Sequence, residues 1–159
     1  MRFNAKPATE EDGETVIALM RELYAEDGIA FVEERARRSM QELIRKPEYG
    51  VILLFSRVES GVEQRPCGYA VLTLGFTLEH GGRFALLDEL YLQRAVRGLG
   101  LGRKALAFAK DWALHQGVEA LRLEVHRHNA SAKSLYLKSG FTDDHRDLLT
   151  LWLKQKGAG

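Results

Sequence analysis

The segment that most restricts this chain is Arg97-Gly98-Leu99-Gly100-Leu101-Gly102. Ahead of it, Arg83 to Leu92 reads as a strand. Behind it, Leu101, Ala105, Phe108 and Trp112 recur along one side of a helix that Gly117 closes. Glycines at 98, 100 and 102 remove side chains from the turn, so successive backbone N–H groups can converge into a concave nest. The helix N-terminus adds unpaired donors and a partial positive charge. Arg97, Arg103 and Lys104 add more. The natural guest of such a turn is a diphosphate.

Spacing narrows the choice of diphosphate. A dinucleotide fingerprint starting at Gly98 needs a third glycine at 103, where Arg103 stands. It also belongs on the first strand–helix unit of a doubly wound sheet. A P-loop needs glycine at the same place, then Ser or Thr after Lys104, which is Ala105. Neither motif is present.

The rest of the chain supplies the context. Thr9 and Asp12 are spaced as a capping box, and Val16, Leu19, Met20, Leu23 and Tyr24 follow at helical spacing up to Asp27-Gly28. Val32, Ala36, Met40, Leu43 and Ile44 mark a second helix that Pro47 stops. Its other face, with Glu33, Glu34, Arg35, Arg37 and Arg38, reads as solvated. Val51 to Val58, Gly68 to Phe76 and Arg83 to Leu92 are short-linked strands, an antiparallel meander. After the glycine run and its helix, Leu121, Leu123 and Val125 alternate with polar residues as a half-buried strand. Asn129 can cap a short helix through Lys138. Leu148 to Leu153 is expected to be a final strand, with Trp152, like Trp112, on a core face. The pattern predicts one mixed α/β (α+β) domain over residues 1–159, its sheet mostly antiparallel, with helices on both faces.

Composition sets outer limits. The 159 residues are 45% hydrophobic and 28% charged, as in globular domains. Lys plus Arg is 23 against 22 for Asp plus Glu, so no net field favours nucleic acid or an anionic membrane. No apolar run approaches the ~20 residues of a membrane span, and the start lacks a secretory pattern. Cys67 is the sole cysteine, which excludes an internal disulfide. A cytoplasmic protein is the expectation. His126 and His128 lack the further converging ligands that zinc needs, and no metal is expected. Cys67 reads as a small apolar residue.

Three segments together resemble one family. Arg97, Gly100 and Gly102 fill the Gln/Arg-x-x-Gly-x-Gly/Ala signature of the GNAT superfamily of N-acetyltransferases. Leu87-Asp88-Glu89-Leu90-Tyr91-Leu92 is similar to the family's Glu-Asp-Leu-Tyr-Val strand. Asn129 to Phe141, with Ala132, Tyr136 and Gly140 at the family spacing, is similar to its Asn-x-x-Ala-x-x-x-Tyr-x-x-x-Gly-Phe segment. The resemblance is specific from about Gly68 to Phe141. It implies a central sheet of about six to seven strands with a V-shaped splay between the family's fourth and fifth strands, and acetyl-CoA in the V. The pantetheine arm would pair with the backbone of Leu90, Tyr91 and Leu92. The pyrophosphate would lie on Arg97, Gly98, Leu99, Gly100, Leu101, Gly102 and Arg103, with Asn129, Ser134 and Tyr136 on the other side.

The resemblance also implies roles in direct acetyl transfer to a primary amine of a small amine, polyamine or lysine side chain. Tyr136 corresponds to the tyrosine that protonates the CoA sulfur. The Leu90 N–H is the expected oxyanion donor. Asp88 stands where polyamine-acetylating members carry Glu, one methylene longer. Strand alternation turns Asp88 toward the face of Leu90 and Leu92 and turns Glu89 away, unless the strand bulges. Either carboxylate, or a water held by one, is a candidate base. Asp88, Glu89 and Glu79 together favour a cationic acceptor. The alternative is a non-catalytic acyl-CoA sensor. The family often dimerises, which makes a homodimer a candidate assembly.

Overall fold

The computed structural model describes residues 2–154. Its elements are β1 (Arg2–Pro7), α1 (Gly13–Glu26), α2 (Glu33–Arg45), β2 (Gly50–Glu59), β3 (Val62–Glu63), β4 (Gly68–Thr77), β5 (Gly82–Leu92), α3 (Leu101–His115), β6 (Leu121–Leu123) and α4 (Ala130–Lys138). Six strands form one sheet in the order β1-β2-β4-β5-β6, with the two-residue β3 paired to β2. All pairings are antiparallel except β5 with β6.

Residues 51–55 and 69–72 of the central strands are apolar without alternation because both faces of the sheet are covered there. Ile52, Leu54, Tyr69, Val71 and Tyr91 pack under α1 and α2, against Val16, Ile17, Met20 and Met40. Leu53, Phe55, Ala70, Leu72 and Leu87 pack under α3, against Leu101, Ala105, Leu106 and Ala109. Small alanines on the inner face of α3 let that helix lie close to the sheet. Leu135, Tyr136 and Phe141 bring α4 onto the same side. The polar face of α2 is solvated and ion-paired: Arg37 with Glu14, Arg45 with Glu10, and Glu33 with Arg21. Cys67 is buried, which pushes its thiol pKa up.

Three expectations change. β1 was not apparent in the sequence, because only Phe3 of Arg2–Pro7 is buried and its strand state comes from pairing with β2. β6 stops at Leu123, short of Val125. The final strand is absent: residues 141–152 carry no regular secondary structure. Leu148, Leu149, Leu151, Trp152 and Leu153 are 61–90% exposed, so Trp152 does not occupy a core face. Trp112, in contrast, does pack on the core beneath α3.

Candidate active site

β5 and β6 correspond to the fourth and fifth strands of the expected splay. They pair only at Ala85, Leu86 and Leu87 with Leu121, Arg122 and Leu123. β5 then runs on to Leu92 paired with β4 on one edge and, among the described residues, with no strand on the other. The cause of the split lies in β5 itself. Its pairing with β4 runs Leu72↔Leu87 and then Val71↔Glu89, so Asp88 is an extra residue with no partner opposite. Such a bulge bends its strand and raises the local twist. β5 turns away from β6, and an opening appears between them.

That opening is a cleft of about 290 Å³. Leu87, Asp88, Glu89 and Leu90 form one wall. Glu124, Val125, His126, Asn129, Ala132 and Tyr136 form the opposite one. Leu23, Tyr24, Asp27 and Ile29, from the end of α1 and the loop after it, close one end. The bulge brings Asp88 and Glu89 onto the same cleft, which regular alternation forbids. Glu79 is elsewhere: it pairs with Arg146 (Nη1 to Oε2 2.9 Å) and does not line the cleft. The acidic lining includes Asp27 and Glu124, which the sequence pattern did not single out. Tyr24 and Ile29 are also lining residues that sequence reasoning missed. A loop residue beside a C-terminal helix cap carries no periodic signal.

Among the carboxyl groups of the cleft, Glu89 is the most strongly perturbed. Burial pushes its pKa up to about 7, and the neighbouring Asp88 charge adds to the rise. Hydrogen bonds from Tyr24 and Tyr69 act the other way, because they stabilise the carboxylate. The Tyr69 hydroxyl lies 3.4 Å from Glu89 Oε1 on a fully buried ring. Burial also raises the pKa of Asp88, although its side chain is more open to solvent. Tyr136 is half-buried, edge-on to Phe141 with centroids 5.9 Å apart, and burial and Asp27 hold its hydroxyl protonated to higher pH.

The backbone of β5 is also prepared. The Ala85 N–H points toward β6 and donates to the Ala120 carbonyl at 2.9 Å. Alternation carried across the bulge puts the Leu90 N–H on that same edge, where β6 no longer runs. The Gln93 N–H, three residues on, donates to Cys67 at the β4 side, as this phase requires. The Leu92 carbonyl accepts from Arg97 Nε at 2.8 Å.

At the next turn Gly98 and Gly100 have φ of 76° and 75°, left-handed conformations that side chains disfavour. Gly102 serves packing: a Cβ there would lie 3.1 Å from Leu135 Cδ2. Leu99 is exposed in the turn, Leu101 is buried as the first residue of α3, and Arg103 and Lys104 are exposed in that helix's first turn. The Arg97 side chain takes a different route. Its Nη2 meets Glu26 Oε2 at 2.7 Å, and its guanidinium stacks over Tyr91. Tyr91 itself donates to Glu22 (3.0 Å) and Glu26 (3.2 Å), so its ring faces α1 and away from the cleft. Asn129 caps α4 by accepting from the Ala132 N–H at 3.2 Å while still lining the cleft; Ser134, one turn on, does not line it. His126 and His128 stack 5.2 Å apart. Among the described residues no group of three or more His, Cys, Asp or Glu side chains converges to hold a metal. None of the described helices is long and apolar enough to cross a membrane.

A family model described as "Acetyltransferase (GNAT) family" matches residues 17–141. The chain belongs to this family. Among curated GNAT relatives, an uncharacterized N-acetyltransferase, YhfO of Bacillus subtilis, is 32% identical over 77 residues, 48% of this chain and 52% of that protein. The chain thus spans about half the length of that relative. The thialysine N-epsilon-acetyltransferase of Bos taurus is 28% identical over 144 residues, covering 87% of this chain and 83% of that one. A solved integron cassette protein from the mobile metagenome of Cole Harbour Salt Marsh superposes with a TM-score of 0.81 at 32% identity. It covers 96% of this chain and 91% of its own. The GNAT fold therefore extends well beyond the motif segment.

Proposed function

We propose that this single GNAT domain is an N-acetyltransferase that moves the acetyl group of acetyl-CoA directly to a primary amine of a cationic acceptor. The observation that carries the reading is the bulge at Asp88, which sets Glu89 across the cleft from Tyr136. A primary ammonium has no lone pair until it loses a proton, at an unassisted pKa of ~10.4. Glu89, with a pKa of about 7, is ionised above neutrality and basic enough to take that proton. Asp88, Asp27 and Glu124 hold the cationic acceptor at the cleft.

The amine nitrogen then bonds to the thioester carbonyl carbon. The Leu90 N–H donates to the oxygen as negative charge develops there. The carbon–sulfur bond breaks, and Tyr136 gives its proton to the departing sulfur. The glycine turn from Arg97 to Gly102, with Arg103 and Lys104, holds the diphosphate. The lysine-like acceptor of the bovine relative fits the same acidic lining.

The test is release of free thiol from acetyl-CoA with a panel of diamines, amino acids and aminoglycosides. Turnover with at least one cationic primary amine is expected, with kcat/KM rising through pH 7. Absence of turnover on every amine, with CoA still raising the melting temperature, would leave a cofactor-binding domain and overturn the enzyme reading.

A further inference from the structure

The glycine turn has little packing of its own. Residues 97–100 are all exposed, and a Cβ added at Gly98 or Gly100 meets nothing within 4 Å. Its apolar anchors, Val96 and Leu101, lie on either side of the exposed stretch. Glycine also leaves such a turn many conformations to lose. The remaining ties are polar, and they come from the last turns of α1. The Glu26 carboxylate accepts from the Tyr91 hydroxyl at 3.2 Å, from Arg94 Nε at 3.2 Å and from Arg97 Nη2 at 2.7 Å. Arg97 is held further by its Nε on the Leu92 carbonyl at 2.8 Å and by its guanidinium over the Tyr91 ring. The residue so held is the last one before Gly98, where the left-handed turn begins. Three donors converging on one carboxylate form a network, which counts for more than an isolated surface pair.

We infer that Glu26 is a positioning residue for the cofactor: by holding the Arg97 side chain, it sets the backbone N–H groups of the following turn in the arrangement that receives the diphosphate. This rests on the reading that the diphosphate lies on that turn. Donors already in place bind an anion more tightly than donors that the anion must order. Removing the Glu26 charge also frees Arg97 and adds a positive charge near the diphosphate, which acts the other way. That gain is small, because Arg97 is exposed and solvent screens it. Ordering of the glycine turn is the larger effect. The two effects have opposite signs, so the direction of the change in affinity decides between them. Glu22, one turn earlier on α1, supplies the comparison. It carries the same charge, and its bonds go to Tyr91 and Gln93, ahead of the turn.

The experiment measures CoA affinity by calorimetry for the wild type, Glu26→Gln, Arg97→Met, the double variant and Glu22→Gln. Arg97→Gln replaces Arg97→Met should that chain not fold. Glu26→Gln and Arg97→Met are each expected to weaken CoA about tenfold, and the double variant no further, because both remove the same strut. Glu22→Gln is expected to stay within about twofold of the wild type. The KM for acetyl-CoA should rise in step with the dissociation constant while kcat moves by no more than a few-fold, a split that general loosening of the fold would not give. Unchanged CoA binding in Glu26→Gln overturns the positioning role. Tighter binding overturns it as well, because Glu26 then withholds Arg97 from the diphosphate. Additive losses in the double variant do the same, since the two residues then act separately. So does an equal loss in Glu22→Gln, because α1 as a whole then supports the turn. A wild type that does not bind CoA overturns the cofactor reading and this inference with it, whereas a wild type that binds beside unaltered variants overturns this inference alone.

Discussion

Glu89→Gln should make this protein more stable above neutral pH while it weakens catalysis. The carboxyl moves from an ordinary 4.5 to about 7 on folding. Between those values the unfolded chain has released its proton and the folded chain still holds one. Stability therefore falls as pH rises through that window, and the loss is complete above about pH 7. At about 1.4 kcal/mol per tenfold change, the pH-dependent loss is about 3 kcal/mol at most. Glutamine keeps the shape and cannot ionise, so the variant escapes that loss. In a domain of this size each kcal/mol shifts the melting temperature by roughly 2–4 °C. The assay is urea unfolding of both proteins at pH 4, 6 and 8. The gap between variant and wild type should widen by about 2–3 kcal/mol from pH 4 to pH 8. The absolute gap also contains any change in the bonds to Tyr24 and Tyr69, so the widening is the quantity that decides. A gap that stays constant across the three pH values would refute the claim that Glu89 ionises against a burial penalty.

Other perturbations read different parts of the cleft. Tyr24→Phe removes a hydrogen bond that stabilises the Glu89 carboxylate, so the acid limb of the kcat/KM profile should move to higher pH; an unmoved limb separates Tyr24 from the base. Tyr136→Phe should lower kcat by about 10²–10⁴-fold, the usual range for a lost acid, and leave CoA affinity within a few-fold by calorimetry. Full activity in that variant would exclude Tyr136 as the proton donor. Gly100→Ala meets no atom within 4 Å, so its whole effect comes from forcing φ of 75° on a side chain. A stability loss of about 1 kcal/mol and weaker CoA binding are expected, the first by thermal melting and the second by calorimetry.

Much of the site was legible because it is written in short, local patterns. Glycines at 98 and 100 announce their left-handed turn, and Asn129 announces a helix start, without any knowledge of the tertiary structure. The meander and the covering helices follow from apolar runs that need both faces buried. The rest depends on long-range choices. Alternation alone placed Asp88 and Glu89 on opposite faces, and only the pairing with β4 reveals which residue is extra. Asp27 enters the cleft because α1 packs across the sheet, and nothing in its neighbours foretells that. The contact of the Arg97 side chain with Glu26, 71 residues earlier, has no local signal either. Residues 148–153 have a strand's composition, yet no strand among the described residues includes them, because composition alone cannot supply a neighbour.

The unpaired position in β5 separates two kinds of selection. Leu87, Leu90 and Leu92 face one core and Tyr91 faces the other, as though residue 88 were missing from the strand. Neither the ladder nor the packed interior constrains what stands there. A lineage can therefore exchange or lengthen the Asp88 side chain and, on the proposed reading, change which amines are welcome, while every residue that holds the sheet together keeps its neighbours. Drift in acceptor range would be concentrated at that one site, and libraries built to redirect the chemistry should start there.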